Sequence, residues 1–246
     1  MAYFKVAPTK ILVGNSLITD NKTIKSFLNE NTKCALIIEK KLYKKFSKEL
    51  KAILQYKPTI CWFKGECSSE EVERITREIG FLKPSFIISF GGGKLLDTSK
   101  IVSEQLGTSL VTIPSSAATC AAFTSISPVY HADGRKFKTI DLKKCPDACL
   151  IDYDVLFNQP PRLLSSGIAD ALAKFYETTA FLSGHPEKHR DPFVATALSI
   201  SKDIYNNIFQ HSIAVINDVS KKNLPPFRHS RESGNPELKK IIHTNI

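Results

Sequence analysis

The stretch FGGGKLLDTSK, residues 90–100, lies where a predicted strand, SFIISF (85–90), passes into a predicted helix. Three glycines allow the backbone to come close to a bound group, because they carry no side chain to hold it away. The first turn of the new helix directs unpaired N–H groups and the positive end of the helix dipole toward the same point, and Lys94 adds a formal charge. These features favour a pyrophosphate site. The alternative is a tight glycine turn beside a surface lysine, and the G-x-G-x-x-G spacing of dinucleotide-binding turns is absent.

Short apolar runs alternate with longer amphipathic ones around this turn. The apolar runs predict strands at 34–39, 59–63, 85–90 and 109–114. The amphipathic runs predict helices at 41–54 and 68–80, and a glycine turn with a helix over 91–107. The helix at 68–80 has Ser68 or Ser69 as its N-cap and ends at Gly80. Strands that alternate with helices indicate an α/β fold, a Rossmann-like domain with a parallel sheet.

The pattern changes after Pro160 and Pro161, where only helical periodicity continues. One helix is predicted to end at Gly184, and the next to begin with Asp191 as N-cap. The first presents one face made of Ile168, Leu172, Phe175, Tyr176 and Thr179. The second is predicted to bury Phe193, Ala197, Leu198, Ser201, Ile204, Tyr205 and Ile208. We therefore predict a dinucleotide-binding domain over 1–160, the start of an all-helical domain over 161–224, and a poorly ordered tail over 225–246.

Composition sets the broad class of the protein. The chain has 246 residues, 42% of them hydrophobic, which is typical of a globular protein and excludes disordered and collagen-like classes. No apolar run approaches the roughly 18–20 residues that span a bilayer, and the N-terminus has no secretory hydrophobic core. We expect a soluble, cytoplasmic protein without a membrane partner. The six cysteines have no zinc-site spacing, so we expect reduced thiols.

Basic residues outnumber acidic ones, 34 to 24, for a net charge of +10. A nucleic-acid surface is one interpretation, and its densest patch is the lysine run within 40–51. Leu42, Phe46 and Leu50 keep helical spacing through that run, so the lysines fit the solvated face of an amphipathic helix. The partner we expect is a small-molecule substrate and not nucleic acid.

Glu39 closes the predicted strand at 34–39. A carboxylate in that place can accept hydrogen bonds from the ribose hydroxyls of an adenosine, and it would repel a ribose phosphate. It therefore favours NAD over NADP mildly. A solvated glutamate at the start of a helix explains the residue almost as well.

Three further segments complete a family resemblance: IPSSAATCAAFTSISPVY (113–130), DLKKCPDACLIDYDVL (141–156) and PPRLLSSGIADALAKFYETTA (160–180). With the glycine turn, they resemble the metal-dependent (iron or zinc) alcohol dehydrogenase superfamily. The branch they resemble most holds glycerol dehydrogenases and hydroxycarboxylate dehydrogenase-like enzymes that reduce 2-oxo acids. The similarity is collinear from about residue 5 to about residue 220. It implies a dehydroquinate synthase-like fold, with a helical metal-binding domain after the nucleotide-binding domain.

The resemblance also implies a chemistry and a set of site residues. NAD or NADP would exchange a hydride with a small alcohol, polyol or 2-oxo acid, while a divalent metal, zinc or iron, acts on the substrate oxygen as a Lewis acid. Family members form homo-oligomers. Asp170, in GIADAL, matches the first metal ligand. The positions that match cofactor-binding residues are Glu39, Gly92, Gly93, Lys94, Asp97, Ser115, Thr119, Thr124, Ile126 and Tyr130.

This sequence departs from the family pattern in two ways. Cys120 stands where typical glycerol dehydrogenases have an aspartate that touches glycerol, which favours a less polar or carbonyl-bearing substrate. The family's two histidine ligands have no counterpart, and we expect His185, His189 and His211 to be solvent-exposed. One carboxylate does not make a tight site, since catalytic zinc takes about three protein ligands.

The tail resembles translated interspersed repeat DNA, which suggests a reading frame interrupted near Lys222. We therefore expect a truncated copy with weak or absent turnover. A non-catalytic dinucleotide-binding remnant is the alternative. Apolar faces over 161–183 and 192–210 would then lack packing partners and favour aggregation.

Overall fold

The computed structural model describes residues 7–131 and 133–221. Within them the chain forms two compact units, one made of 7–116 and 120–156, the other of 117–119 and 157–221. The predicted tail, 225–246, lies outside the described residues. No described helix combines the length and the apolar character that crossing a membrane requires.

The first unit is built on a parallel six-stranded sheet. Its strands and those of a separate hairpin are β1 (Lys10–Gly14), β2 (Cys34–Ile38), β3 (Thr59–Trp62), β4 (Phe86–Gly91), β5 (Ser109–Pro114), β6 (Ile126–Tyr130), β7 (Lys136–Asp141) and β8 (Ala148–Asp152). The sheet order is β1-β8-β5-β4-β2-β3, and every pairing in it is parallel. All residues of β2 and β8 are buried, as expected for strands covered on both faces. The predicted Rossmann-like α/β fold is confirmed.

Helices follow the strands of the sheet along the chain: α1 (Asn21–Lys25), α2 (Lys40–Lys45), α3 (Lys51–Leu54), α4 (Ser69–Gly80), α5 (Gly93–Leu106) and, after the last strand, α6 (Tyr153–Leu156). At the start of α4 the Ser68 hydroxyl accepts a hydrogen bond from the Glu71 N–H, so the capping residue is Ser68. The α5 helix stops at Gly107, whose φ of 64° is the left-handed conformation that favours glycine.

The single helix predicted over 41–54 is wrong. The backbone leaves the helical conformation at Phe46, with φ −109° and ψ 26°, and the next helix, α3, begins only at Lys51. The Phe46 ring is buried 5.4 Å from the ring of Phe90 in β4. Apolar spacing indicates which side chains face the core, but it does not report a backbone break that accompanies such a contact.

Four strands, β1, β6, β7 and β8, were not predicted from the sequence. The hairpin of β6 and β7 is antiparallel, and β7 is exposed along nearly its whole length. An exposed strand lacks the apolar alternation from which strands are recognised. Pro128 within β6 weakens the signal further, since proline is disfavoured inside strands.

A buried carboxylate ties the end of β8 to the loop after β1. Asp152 is fully buried, and its two oxygens accept hydrogen bonds of 2.9 Å from the N–H groups of Ile18 and Asp154. Burial raises the pKa of Asp152 to about 6, and the nearby Asp154 carboxylate adds to the rise, while the backbone hydrogen bonds oppose it. This side chain therefore titrates close to neutral pH.

The second unit contains two long helices, α7 (Pro161–Gly184) and α8 (Pro192–Lys221), which pack against each other. Asp191 accepts a hydrogen bond of 2.9 Å from the Phe193 N–H, so its predicted capping role is confirmed. Gly167 lies against the 117–119 segment, where a Cβ atom would stand 1.8 Å from the Ala117 carbonyl oxygen. Gln159 accepts a hydrogen bond of 2.9 Å from the Ala117 N–H.

The predicted buried face of α8 is only partly correct. Ser201 and Ile208 are buried, but Phe193 and Ala197 are exposed. One neighbouring helix covers one stripe of α8, and apolar residues outside that stripe stay in solvent. The exposed apolar faces expected on both helices are present, with the side chains of Tyr176, Phe181, Phe193, Ile200, Phe209 and Ile213 between 47% and 74% exposed.

Candidate functional site

The glycine turn joins the carboxyl end of β4 to the first turn of α5. Gly92 is the N-cap, and its carbonyl accepts the first hydrogen bond of the helix from the Leu96 N–H. The preceding N–H groups of α5 therefore have no acceptor within the helix. A Cβ atom on Gly92 would meet no atom within 4 Å, so the space above the turn is open. One on Gly91 would stand 2.7 Å from the Leu95 side chain, which explains the need for glycine there.

Two predicted residues border this turn at the same edge of the sheet. Ser115 follows β5, and its N–H donates a hydrogen bond of 2.9 Å to the Gly91 carbonyl. Glu39 follows β2, whose last residue, Ile38, pairs with Phe90 of β4. Because paired strands lie about 4.8 Å apart, Glu39 lies roughly one strand away from the turn. Parallel strands thus bring an anion cradle and a carboxylate to one edge, as dinucleotide binding requires.

Lys94 is held by Glu66, a partner that was not predicted from the sequence. Its Nζ lies 2.5 Å from Glu66 Oε2 and 5.8 Å from the centre of the Tyr130 ring. Glu66 is itself fixed, because its Oε1 accepts a hydrogen bond from the Cys67 N–H. The Cys67 carbonyl in turn accepts the Tyr130 N–H of β6 at 2.8 Å. The lysine charge therefore stands at the turn already paired with a positioned carboxylate.

Asp97 and Lys100 form a second ion pair beneath the turn. Their side chains are almost fully buried, with Lys100 Nζ 2.9 Å from Asp97 Oδ1. The ammonium donates its hydrogen bonds to the carbonyls of Thr124 and Ile126 and to the Thr124 hydroxyl. Within the described residues, Asp97 Oδ1 therefore forms an ion pair with Lys100 but accepts no hydrogen bond of good geometry. Burial raises the pKa of Asp97, and the Lys100 charge opposes that rise.

Thr124 and Ile126 thus contribute to the site chiefly through their backbone carbonyls, which accept hydrogen bonds from the Lys100 ammonium. Both residues were predicted from the sequence as site residues, but Lys100 was not. A lysine three positions after Asp97, on the same face of α5, was the available signal.

Beside Glu39 an open groove of about 690 Å³ runs along the ends of β2 and β3. Glu39 is half-buried and makes no capping hydrogen bond to α2. The groove is lined by Glu39, Lys40, Lys41, Trp62, Phe63, Lys64, Gly65, Arg74 and Glu78. Trp62 and Phe63 make the lining partly aromatic, and the Trp62 ring meets the Tyr43 ring edge-on at 5.3 Å.

The remaining predicted residues are more exposed. Cys120 is an exposed, unbridged thiol in the first unit, whereas Thr119 and Asp170 belong to the second unit. Asp170 is half exposed on α7, with Oδ1 3.5 Å from Lys174 Nζ. Over 7–131 and 133–221, no three His, Cys, Asp or Glu side chains come together as a metal site.

The three histidines that we expected to be solvent-exposed differ in exposure. His185 and His189 are exposed, as expected. His185 Nδ1 lies 2.9 Å from the Phe181 carbonyl oxygen. His211 is half-buried on α8, so the expected solvent exposure is only partly correct for it.

Comparison with protein families gives one decisive match. The family model for iron-containing alcohol dehydrogenase matches residues 8–153, more than half of the chain. The chain belongs to the iron-containing alcohol dehydrogenase family. This assignment confirms the family predicted from the glycine turn and the segments that follow it.

Two relatives indicate which branch of the iron-containing alcohol dehydrogenase family this chain resembles. The chain is 28% identical over 184 residues to a glycerol dehydrogenase of Thermotoga maritima, covering 74% of this chain and 48% of that protein. It is 37% identical over 125 residues to hydroxycarboxylate dehydrogenase A of Escherichia coli, covering 51% and 34%. The chain thus spans less than half the length of these relatives. The predicted glycerol dehydrogenase-like branch is confirmed.

Solved structures agree on the fold. A probable glycerol dehydrogenase from Sinorhizobium meliloti 1021 superposes with a TM-score of 0.79 at 22% identity, covering 99% of this chain and 65% of that one. At this identity the similarity demonstrates a shared fold only.

Proposed function

We propose that this chain binds a nicotinamide dinucleotide at the α5 turn. In that role it would serve the oxidation of a CH–OH group in a small alcohol or polyol, or the reduction of the matching carbonyl, such as that of a 2-oxo acid. The observation that carries the proposal is the open space above Gly92, at the start of a 14-residue helix. An anion placed there would meet N–H groups that lack helical acceptors.

Different residues of the chain would bind different parts of the cofactor. The N–H groups of Gly93 and Lys94 would hold the pyrophosphate, with the Lys94 ammonium adding charge as it leaves Glu66. Glu39 would accept the adenosine ribose hydroxyls, one strand away from the turn. Asp97 lies beneath the turn, paired with Lys100, and its predicted contact with the nicotinamide ribose stays part of this proposal. The predicted contacts of Ser115, Thr119, Thr124, Ile126 and Tyr130 stay part of this proposal.

The exposed thiol of Cys120 supports a carbonyl-bearing substrate over a polyol. A thiol accepts hydrogen bonds weakly, so it would not replace a carboxylate that binds polyol hydroxyls. The name of the Escherichia coli relative, hydroxycarboxylate dehydrogenase A, points to the same chemical class.

The described residues do not fit the family's metal. Asp170 would be one ligand, but it faces Lys174, and no cluster of three ligating side chains forms over 7–131 and 133–221. Catalytic zinc takes about three protein ligands. The role that these residues support therefore ends at binding and orienting the dinucleotide. A second candidate function, dinucleotide binding without turnover, is favoured by this mismatch.

Titration with NADH, followed by calorimetry and by nucleotide fluorescence, tests the proposal. We expect saturable binding that weakens about tenfold in Lys94→Ala and is unchanged in Lys44→Ala, an exposed lysine on α2. Folded protein that ignores millimolar NADH would refute it. Turnover assays with glycerol and with a 2-oxo acid, each with added Zn²⁺ or Fe²⁺, separate the two candidates, because binding without turnover supports the second.

A further inference from the structure

The groove beside Glu39 carries more positive charge than a site for two ribose hydroxyls needs. Lys40, Lys41 and Lys64 line it, and all three side chains are exposed. Within the described residues none of them forms an ion pair, and Lys40 rests over the Trp62 ring at 5.9 Å. Three lysine charges thus remain available to a ligand.

The other two charged residues of the groove neutralise each other. Arg74 donates hydrogen bonds to both carboxylate oxygens of Glu71 and to the Trp62 carbonyl, at 2.7–2.8 Å. It also pairs with Glu78. This arginine is a structural link between α4 and β3, and its donors are already used.

Glu39 is therefore the one carboxylate that opposes the three lysines in the lining. A carboxylate alone at this place repels a ribose phosphate. Flexible ammonium groups on the same groove offset that repulsion, because each can reach a phosphate oxygen as a point charge. The carboxylate would still accept the neighbouring ribose hydroxyl. Trp62 adds an aromatic face on the groove for the adenine base.

We infer that this groove accepts an adenosine whose ribose carries a 2′-phosphate, so that the chain binds NADPH as well as NADH. The inference rests on the proposed function, since it concerns the adenosine end of the same cofactor. The acceptance of the 2′-phosphate would depend on the positive charges of Lys40, Lys41 and Lys64, while the Glu39 carboxylate would repel that phosphate.

Calorimetric titration of the full chain with NADH, NADPH and adenosine 2′,5′-bisphosphate tests this inference. In the wild type we expect the NADPH Kd to lie within about tenfold of the NADH Kd, and the bisphosphate to bind more tightly than 5′-AMP. The double variant Lys40→Ala/Lys64→Ala should raise the NADPH Kd by about tenfold or more and the NADH Kd by less than about twofold. Glu39→Gln should lower the NADPH Kd.

The matched control is Lys44→Ala/Lys45→Ala, which removes the same charge from exposed positions of α2 outside the groove. This control should leave the ratio of the two Kd values unchanged, whereas a general charge effect would shift it as the groove variant does. NADH binding with NADPH more than about 100-fold weaker, or equal effects of the groove and control variants, would overturn the inference and leave the proposed function standing. Folded protein that binds neither nucleotide would overturn both.

Discussion

The buried carboxylate at the end of β8 makes the stability of the first unit depend on pH, and Asp152→Asn removes that dependence. The pKa of Asp152 is raised from 3.8 to about 6 by burial. Each pKa unit between the unfolded and folded states corresponds to 1.36 kcal/mol. The rise therefore corresponds to about 3 kcal/mol of folding free energy that depends on the protonation of one side chain.

The sign follows from the direction of the shift. The folded state holds the proton more tightly than the unfolded state, so protonation stabilises the fold. This contribution is fully present below pH 3.8 and is lost as the pH rises through about 6. Asparagine does not titrate, and its amide keeps one of the two acceptor positions that serve Ile18 and Asp154. The variant should therefore pay a pH-independent cost of about 1 kcal/mol for one lost hydrogen bond.

Urea unfolding between pH 4 and pH 8 measures the effect, with the fluorescence of Trp62, the single tryptophan, as the probe. The wild type minus variant difference in unfolding free energy should fall by about 2.4 kcal/mol across this range, slightly less than the full shift, because an unfolded-state carboxyl of pKa 3.8 is still partly protonated at pH 4. Taking the difference cancels other titrating groups. Asp20→Asn is the control, because hydrogen bonds lower the pKa of Asp20 from 3.8, so its contribution changes only below the scanned range and its difference from the wild type should stay nearly constant from pH 4 to pH 8. A wild type minus Asp152→Asn difference that stays flat would refute the reasoning.

Three further predictions follow from contacts in the two units. Gly167→Ala should lower the thermal midpoint strongly, by the equivalent of about 3 kcal/mol or more, because its methyl group would enter a backbone carbonyl. Gly184→Ala on the same helix meets no atom and should keep the midpoint; equal behaviour of the two variants in a circular dichroism melt would contradict this. Gly92→Ala should leave the midpoint unchanged and weaken NADH binding about tenfold, so a lost fold or an unchanged Kd counts against the open cradle. Glu66→Gln should tighten NADH binding about threefold to tenfold, since the pyrophosphate no longer competes with a carboxylate for Lys94; weaker binding by calorimetry would instead make Glu66 a positioning residue.

Much of the fold was predictable because its signals are local. Buried runs such as 34–38 and 86–91 read as strands, and the glycine turn lies between a strand and a helix as predicted. Ser68 and Asp191 were recognisable as caps, because a capping side chain bonds to N–H groups two or three positions away. The exposed β7 strand and the break after Phe46 carry no such local signal.

The candidate site, like the fold, was predictable from the sequence only where its features depend on neighbouring residues. The amino-acid sequence by itself determined the α/β class, the glycine turn and the residues beside it, since each depends on neighbours within a few positions. Only the tertiary structure decided that Glu66 holds Lys94 across 28 positions, and that Lys100 reaches carbonyls 24 and 26 positions away. It also decided that Glu39 shares a groove with Lys64. Such pairings depend on the order of strands in the sheet, which no local periodicity encodes, because strands adjacent in space are distant in the chain.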